Sequence, residues 1–285
     1  MIPDAELLLL LQEEREKQPD LAQTLELYLD LAAAKAEAAA DVSAEWPERA
    51  RRRLERGKPA LSPDELELDY HQVQKLIRKI CEIAAEHRPE LSEAFARIAS
   101  GLGHAAVNEK ETRSLVAAYL EQRDGGLEVE PELFHFVMNQ ALHPVLQAYA
   151  VAVAPVLAGM PWLWGNCPVC GGHPDFAALE GSAGGRRLLC ARCDSEWTYR
   201  RIGCPFCDNE DPTTLGYFTT GDGAYRLYVC ERCKGYLKTI DMREMRRARP
   251  LPLERILTVA MDLAAAADGY RRMPEARSPN CEEQS

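Results

Sequence analysis

Through the first 160 residues, apolar side chains recur at three- and four-residue spacing, the period of one helix face. Leu66, Val73, Leu76, Ile77, Ile80, Ile83 and Ala84 carry this pattern most clearly. Leu21–Ala40 is rich in Ala, Leu and Glu and has few breakers. Trp46–Arg56 reads as a short basic helix stopped by Gly57-Lys58-Pro59. Ser62-Pro63-Asp64-Glu65 predicts a helix start, with Ser at the N-cap, Pro in the first turn and acid behind it. Pro89, Gly101/Gly103 and Gly125-Gly126 punctuate three further helices. The last of these, Pro131–Ala158, is long and apolar enough to be the central helix of a bundle, and Pro144 within it predicts a kink or a split.

The period changes at Ala158-Gly159-Met160-Pro161. Beyond it, short runs rich in Tyr, Leu and Thr predict strands at Arg187–Leu189, Glu196–Arg200, Leu215–Thr219, Tyr225–Val229 and Tyr236–Ile240. Gly184-Gly185 and Gly221-Asp222-Gly223 are turn signals between them. A basic stretch with Arg243, Arg246, Arg247 and Arg249 follows, and Leu253–Ala267 predicts one more amphipathic helix. The expectation is an α+β multidomain chain. Residues 1–160 form a helical bundle, 161–203 and 204–250 two tandem metal ribbons, 251–273 a helix packing back, and 274–285 a disordered tail.

The ribbons are read from cysteine. Eight of ten cysteines form four Cys-x-x-Cys pairs: Cys167/Cys170, Cys190/Cys193, Cys204/Cys207 and Cys230/Cys233. Such a turn puts two sulfurs on one side of a tight loop, half of a tetrahedral site. The gaps 171–189 and 208–229 have the length usual within one zinc-ribbon or rubredoxin-like unit, and the shorter gap 194–203 links two units. The first and second pairs should therefore hold one metal ion and the third and fourth another, with cross-bracing of alternate pairs as the rival arrangement. Thiolate softness suits iron and zinc equally. Four disulfides would use the same residues, but nothing in the sequence marks secretion. Redox-active Cys-x-x-Cys motifs usually come singly. The metals could serve only to fold a small, loop-rich segment.

Charge narrows the partners. The formal net charge is −11. All of that excess lies in residues 1–160, which does not suit a nucleic-acid binder. The acidic N-terminus Met1–Lys17 lacks a basic leader, and the apolar run Ala141–Met160 is broken by His143, Pro144 and Pro155, so the expectation is a cytoplasmic protein without membrane insertion. His135 and His143 on the apolar helix read as core polar residues, and His173, beside the first cysteine pair, is given no ligand role. Cys81 looks like a buried helix cysteine, and Cys281 falls in the tail. There is no phosphate loop, no Gly-x-Ser-x-Gly and no His-Glu-x-x-His, so no enzyme activity is expected.

Several longer motifs stand in a characteristic order: Gly165-Asn166-Cys167-Pro168-Val169-Cys170-Gly171, Arg187-Leu188-Leu189-Cys190-Ala191-Arg192-Cys193, Glu196-Trp197, Arg200-Arg201, Cys204-Pro205-Phe206-Cys207, and Cys230-Glu231-Arg232-Cys233-Lys234-Gly235-Tyr236-Leu237-Lys238-Thr239-Ile240-Asp241. This order resembles the FdhE family, the formate dehydrogenase accessory proteins, over residues 162–270. The resemblance implies a cytoplasmic maturation protein that binds the molybdenum- or tungsten-containing catalytic subunit of formate dehydrogenase. It also implies iron or zinc in rubredoxin-like sites with the eight cysteines as ligands. No catalytic residue carries over. Trp197, Arg200, Tyr236 and Lys238 would form a contact surface or a supporting layer. The chain departs from the family where Leu253-Glu254-Arg255 replaces an acidic Asp-Asp-Leu. Two other readings remain open: a rubredoxin-like iron redox protein, and a zinc-ribbon module associated with nucleic acid. The sequence leaves the oligomeric state open.

Overall fold

A computed structural model describes residues 4–36, 38, 42–62, 65–102, 109–123, 125–245 and 249–272. The fold is α+β, with nine α-helices and six strands among the described residues. It divides into two units. One comprises Ile2–Ala44 and Ser62–Tyr149; the other comprises Glu45–Leu61 and the chain from Ala150 onward.

The first unit is helical. Helices α1 (Asp4–Lys17) and α2 (Ala22–Ala36) form a hairpin across a single 3-10 turn, Pro19–Leu21. Helix α4 (Tyr70–His87) packs on α2, on α5 (Ser92–Ser100) and on α6 (Glu109–Leu120). Leu11, Leu25, Leu31, Ile77, Ile80 and Ile98 are wholly buried, so the periodic positions do face a core. Helix α4 starts later than Ser62. Asp69 caps it, its Oδ1 accepting from the N–H groups of His71 and Gln72 at 2.9 and 3.2 Å. Pro63 and Asp64 of the expected start lie outside the described residues, as do Gly103, Arg246, Arg247, Cys281 and the tail from Pro274. Cys81 is buried on α4, and burial pushes its thiol up to about 12.

Helix α7 (Pro131–Leu157) differs from expectation. It runs through Pro144 without splitting. Ala141, Leu142 and Leu146 flank the proline and are fully buried, so side-chain packing holds a helix that has lost one backbone bond. By length and composition α7 is apolar enough to cross a membrane, against the sequence reading, and half of its most apolar window is buried within the fold. His143 is buried on α7, and the His135 ring lies against Tyr119 and Phe134.

The other unit holds helix α3 (Trp46–Leu54) and a six-stranded sheet. The strands are β1 (Pro174–Glu180), β2 (Gly185–Cys190), β3 (Glu196–Tyr199), β4 (Leu215–Thr219), β5 (Tyr225–Cys230) and β6 (Tyr236–Asp241), in the order β3-β2-β1-β6-β5-β4. The two ribbons are thus not separate. Each is an antiparallel triplet, and the parallel pairing of β1 with β6, from Phe176↔Lys238 to Leu179↔Asp241, fuses them into one sheet.

Registers fix the two faces. Phe176, Ala178, Leu189 and Ile240 point one way and pack under Leu251, while Leu227, Val229 and Tyr236 pack under Ala265. The helix over this face is two helices, not the expected one: α8 (Leu251–Leu257) and α9 (Val259–Ala267). The break is at Thr258, whose backbone leaves helical angles while its Oγ1 donates to the Glu254 carbonyl at 2.8 Å.

The break serves a lysine. Lys238 is 2% exposed, and its Nζ donates to the Arg255 carbonyl at 2.9 Å and to Asp262 Oδ2 at 2.7 Å. The Tyr236 hydroxyl donates to the other oxygen of Asp262 at 2.7 Å. Both residues lock α8–α9 to the sheet and neither offers a contact surface. Burial depresses the Lys238 ammonium, and Asp262 opposes that.

The pair is asymmetric, because the Asp262 side chain remains 26% exposed. Asp262→Ala, which strands the buried ammonium, should cost about 3 kcal/mol. Lys238→Met, which leaves a carboxylate able to rehydrate, should cost about 1 kcal/mol or less. Urea unfolding of both variants checks the order; equal losses would refute it.

Candidate metal centres

All four Cys-x-x-Cys segments adopt one backbone form. In each, the first cysteine's N–H donates to the carbonyl five residues on: Cys167 to Gly172, Cys190 to Ser195, Cys204 to Asn209 and Cys230 to Gly235, at 2.7–3.0 Å. In each, the residue four places after the first cysteine has positive φ: Gly171, Asp194, Asp208 and Lys234, at 74°, 55°, 54° and 58°. This left-handed residue turns the chain back and leaves both sulfurs on one side. Gly, Asp and Asp at three of these positions were a sequence signal that the spacing argument passed over. Strand β1 was also missed: Pro174–Glu180 is buried on both faces, so it lacks polar–apolar alternation.

The turns meet in sequential pairs and are not cross-braced. The sulfurs of Cys167, Cys170, Cys190 and Cys193 all lie within 4.8 Å of one another, and so do those of Cys204, Cys207, Cys230 and Cys233. The Cys167–Cys193 and Cys170–Cys190 separations are 3.6 and 3.5 Å, and Cys204–Cys233 and Cys207–Cys230 are both 3.7 Å. A disulfide would need about 2.05 Å. A tetrahedron with metal–sulfur bonds of about 2.3 Å has edges of about 3.8 Å, so the donor sets fit a four-thiolate ion. The N–H groups of Val169 and Arg192 donate to Cys167 and Cys190 Sγ at 3.3 Å, and Asn209 Nδ2 donates to Cys230 Sγ at 3.5 Å. Without a cation, burial first and the neighbouring sulfurs after it push the Cys167, Cys190 and Cys193 thiols well above their usual range; a bound ion would reverse that.

Each turn is held by a different part of the chain. The first receives N–H bonds from Ala60 and Leu61 on the Pro168 and Val169 carbonyls, at 2.7 and 2.9 Å. Arg255 of α8 pairs with Asp194 of the second turn at 3.0 Å and reaches Asp175 at 3.4 Å. Arg200 pairs with Asp208 of the third at 2.7 Å, and the Tyr199 hydroxyl donates to the Cys204 carbonyl at 3.2 Å. Arg271 N–H donates to the Lys234 carbonyl of the fourth at 2.8 Å. Leu253-Glu254-Arg255 therefore has its own structural use. Glu254 is wholly buried and accepts from the Tyr225 hydroxyl at 2.7 Å, while Arg255 braces the first centre. Trp197 is also a supporting residue, its Nε1 donating to the Trp164 carbonyl at 3.0 Å.

The two centres touch. A Cβ at Gly165, beside the first turn, would lie 2.0 Å from the Pro205 carbonyl oxygen of the third, so only glycine fits. The rings of His173 and Phe206 meet edge-on, with centroids 5.7 Å apart. His173 is outside the four-sulfur set. The more open centre is the second, where Cys207 and Cys233 are both part-exposed; in the first only Cys170 is.

These centres sit in a chain with close relatives in sequence. A protein FdhE homolog of Aquifex aeolicus (strain VF5) is 30% identical over 223 residues, 76% of this chain and 73% of that protein. The chain belongs to the FdhE family. A protein FdhE homolog of Shewanella oneidensis is 32% identical over 106 residues, 36% of this chain and 35% of that one. The crystal structure of the FdhE protein from Pseudomonas aeruginosa shares the fold, with a TM-score of 0.57 and 23% identity over 96% of this chain and 93% of that one. No family model matches the chain.

His173 also gives this FdhE relative an acid response. Burial lowers the imidazole to about 4, and its Nδ1 has no partner. The folded state resists protonation that the unfolded chain accepts near 6.5, so stability is present at neutral pH and falls as pH drops from about 6.5 toward 4. His173→Gln should reduce the loss of stability between pH 7 and pH 5 by about 2 kcal/mol. Denaturant midpoints at the two pH values test this, and an unchanged difference would refute it.

Proposed function

We propose that this FdhE-family protein is a cytoplasmic accessory factor that helps mature formate dehydrogenase by binding its catalytic subunit. It acts by binding and not by turnover. The surface it uses is held in shape by two metal ions, iron or zinc, one on Cys167, Cys170, Cys190 and Cys193 and one on Cys204, Cys207, Cys230 and Cys233. The observation that carries the reading is the fourfold repeat of one cysteine turn, which brings eight thiols into two compact sets. Membership of the FdhE family supports formate dehydrogenase as the client. The Arg255 brace and the Tyr236–Lys238 lock both support the unit that carries the two centres. When bound, an ion of either kind closes each pair of turns; iron would add one-electron chemistry.

Metal content tests the ligand sets separately. Cys190→Ala should take the purified protein from two ions to one, and Cys230→Ala should do the same at the other centre. Loss of both ions from either single change would refute independent sites.

The client is tested by affinity capture of the tagged protein from its own host under anaerobic conditions, followed by mass spectrometry. Recovery of a formate dehydrogenase catalytic subunit is expected, and its loss from the Cys190→Ala/Cys230→Ala double variant would tie binding to the centres. Recovery of nucleic-acid machinery, or of no specific protein, would overturn the reading.

A further inference from the structure

Opposite the face covered by α8 and α9, the sheet carries a cleft of about 260 Å³ between β4–β5 and the loop 201–206. Arg186, Arg201 and Arg226 line it together with apolar and aromatic side chains and with Cys204 and Cys230 of the second centre. We infer that this cleft binds a small organic carboxylate, with the carboxylate on the arginines and an apolar or aromatic body against Tyr217, Tyr228 and Ile202.

Charge supplies the first argument. Arg226 and Arg243 share Asp241: Arg226 Nη2 and Arg243 Nη2 both meet Oδ2 at 2.6 Å, and Arg243 Nε meets Oδ1 at 2.7 Å. Asp241 is wholly buried and fully committed to these two. Arg201 donates to the carbonyls of Ala183 and Gly184, at 2.6 and 2.9 Å. Arg186 donates to the Gly203 carbonyl at 3.0 Å. Of the three arginines that line the cleft, only Arg226 is paired with a carboxylate; Arg186 and Arg201 bond to backbone carbonyls, in a chain whose net charge is −11.

Arg186 supplies the second argument. It is 3% exposed, its guanidinium lies 4.5 Å from the Tyr228 ring centroid, and its Nε has no acceptor. A cation this deep is costly without an anion, and a planar guanidinium fork matches a carboxylate in two bonds. The body of the ligand is set by the walls. The Tyr217 and Tyr228 rings lie 5.3 Å apart, and Tyr217 and Ile202 are 54% and 62% exposed, apolar surface left open at the mouth. The volume lies just below the usual range for ligand pockets, about 300–1,000 Å³, which selects a compact molecule.

The test uses the full-length, metal-loaded protein with phenylacetate as probe and phenylacetamide as its uncharged counterpart, in calorimetric titrations and ligand-observed NMR. Phenylacetate should bind saturably with a Kd of about 1 mM or below, and the amide should bind at least about tenfold more weakly. Arg201→Gln and Tyr217→Ala, both at exposed positions, should each weaken phenylacetate about fivefold or more with metal content unchanged. Arg186→Gln should abolish binding; if it fails to fold, the two rim variants decide. Equal binding of acid and amide, no saturable binding, or binding indifferent to both rim variants would overturn the site. A loss of metal from Arg186→Gln with no phenylacetate binding to the parent protein would also overturn it, and would assign Arg186 to balancing the second centre. None of these outcomes depends on a client protein.

Discussion

The parallel pairing of β1 with β6 is the constraint on which the sheet-bearing unit depends. Each antiparallel triplet delivers two cysteine turns, yet three short strands with a metal at one end bury little by themselves. Joining the triplets puts Ala177, Ala178 and Leu179 opposite Thr239, Ile240 and Asp241, and every one of these six residues is completely buried. The joined sheet is wide enough to be covered by α8 and α9, and those helices bury Leu251 and Ala265 against it. The two centres therefore share a core. Their local geometry is independent, but the protein that presents them is one body, and the Gly165–Pro205 and His173–Phe206 contacts draw their loops together.

Polar groups determine how that body is locked. The lysine in Gly235-Tyr236-Leu237-Lys238-Thr239 looks like a surface residue in sequence, yet it is the deepest cation in the sheet. Its alkyl chain crosses the apolar layer, and its ammonium meets two helix carbonyls and Asp262 at the break between α8 and α9. A continuous helix would keep the Arg255 carbonyl in its own ladder; the turn at Thr258 frees acceptors for the lysine. The same short helix sends Arg255 to Asp194, in the turn that carries Cys190 and Cys193. One irregularity in the helix thus serves both the lock and the first centre.

Much of this was legible in the residues. Cysteine spacing identified both sulfur sets, because a Cys-x-x-Cys turn has few geometries and a ribbon few lengths. The strands around the second and fourth pairs were legible from their Tyr, Leu and Thr content. What escaped had specific causes. Strand β1 reads Pro-Asp-Phe-Ala-Ala-Leu-Glu, without alternation because both its faces are covered. The fusion of the two ribbons depends on a pairing between strands some sixty residues apart, which no local pattern encodes. Pro144 promised a break, but the buried side chains around it outweigh one missing hydrogen bond. The start at Asp69 was hidden because Ser62 offered a better N-cap motif seven residues earlier; position relative to the core, and not cap quality, decides where a helix begins.

The basic cleft belongs to the same logic of charge. An acidic chain that gathers eight thiols must balance further negative charge once the ions are in place, and Arg186, Arg201 and Arg226 line the cleft that also reaches Cys204 and Cys230 of the second centre. Balance alone does not explain their arrangement. A structural counter-charge is best placed in contact with its anion and shielded from water, whereas Arg201 and the neighbouring Tyr217 and Ile202 stand at an open mouth. Asp241 already pairs with Arg226 and Arg243, leaving the buried Arg186 and the exposed Arg201 without a carboxylate. A protein that needed only to quiet its metal centre would have placed its acid there. Leaving these guanidiniums without a carboxylate beside two tyrosine rings makes the second centre one wall of a site that can accept a ligand, so that ligand and metal would each alter the field felt by the other.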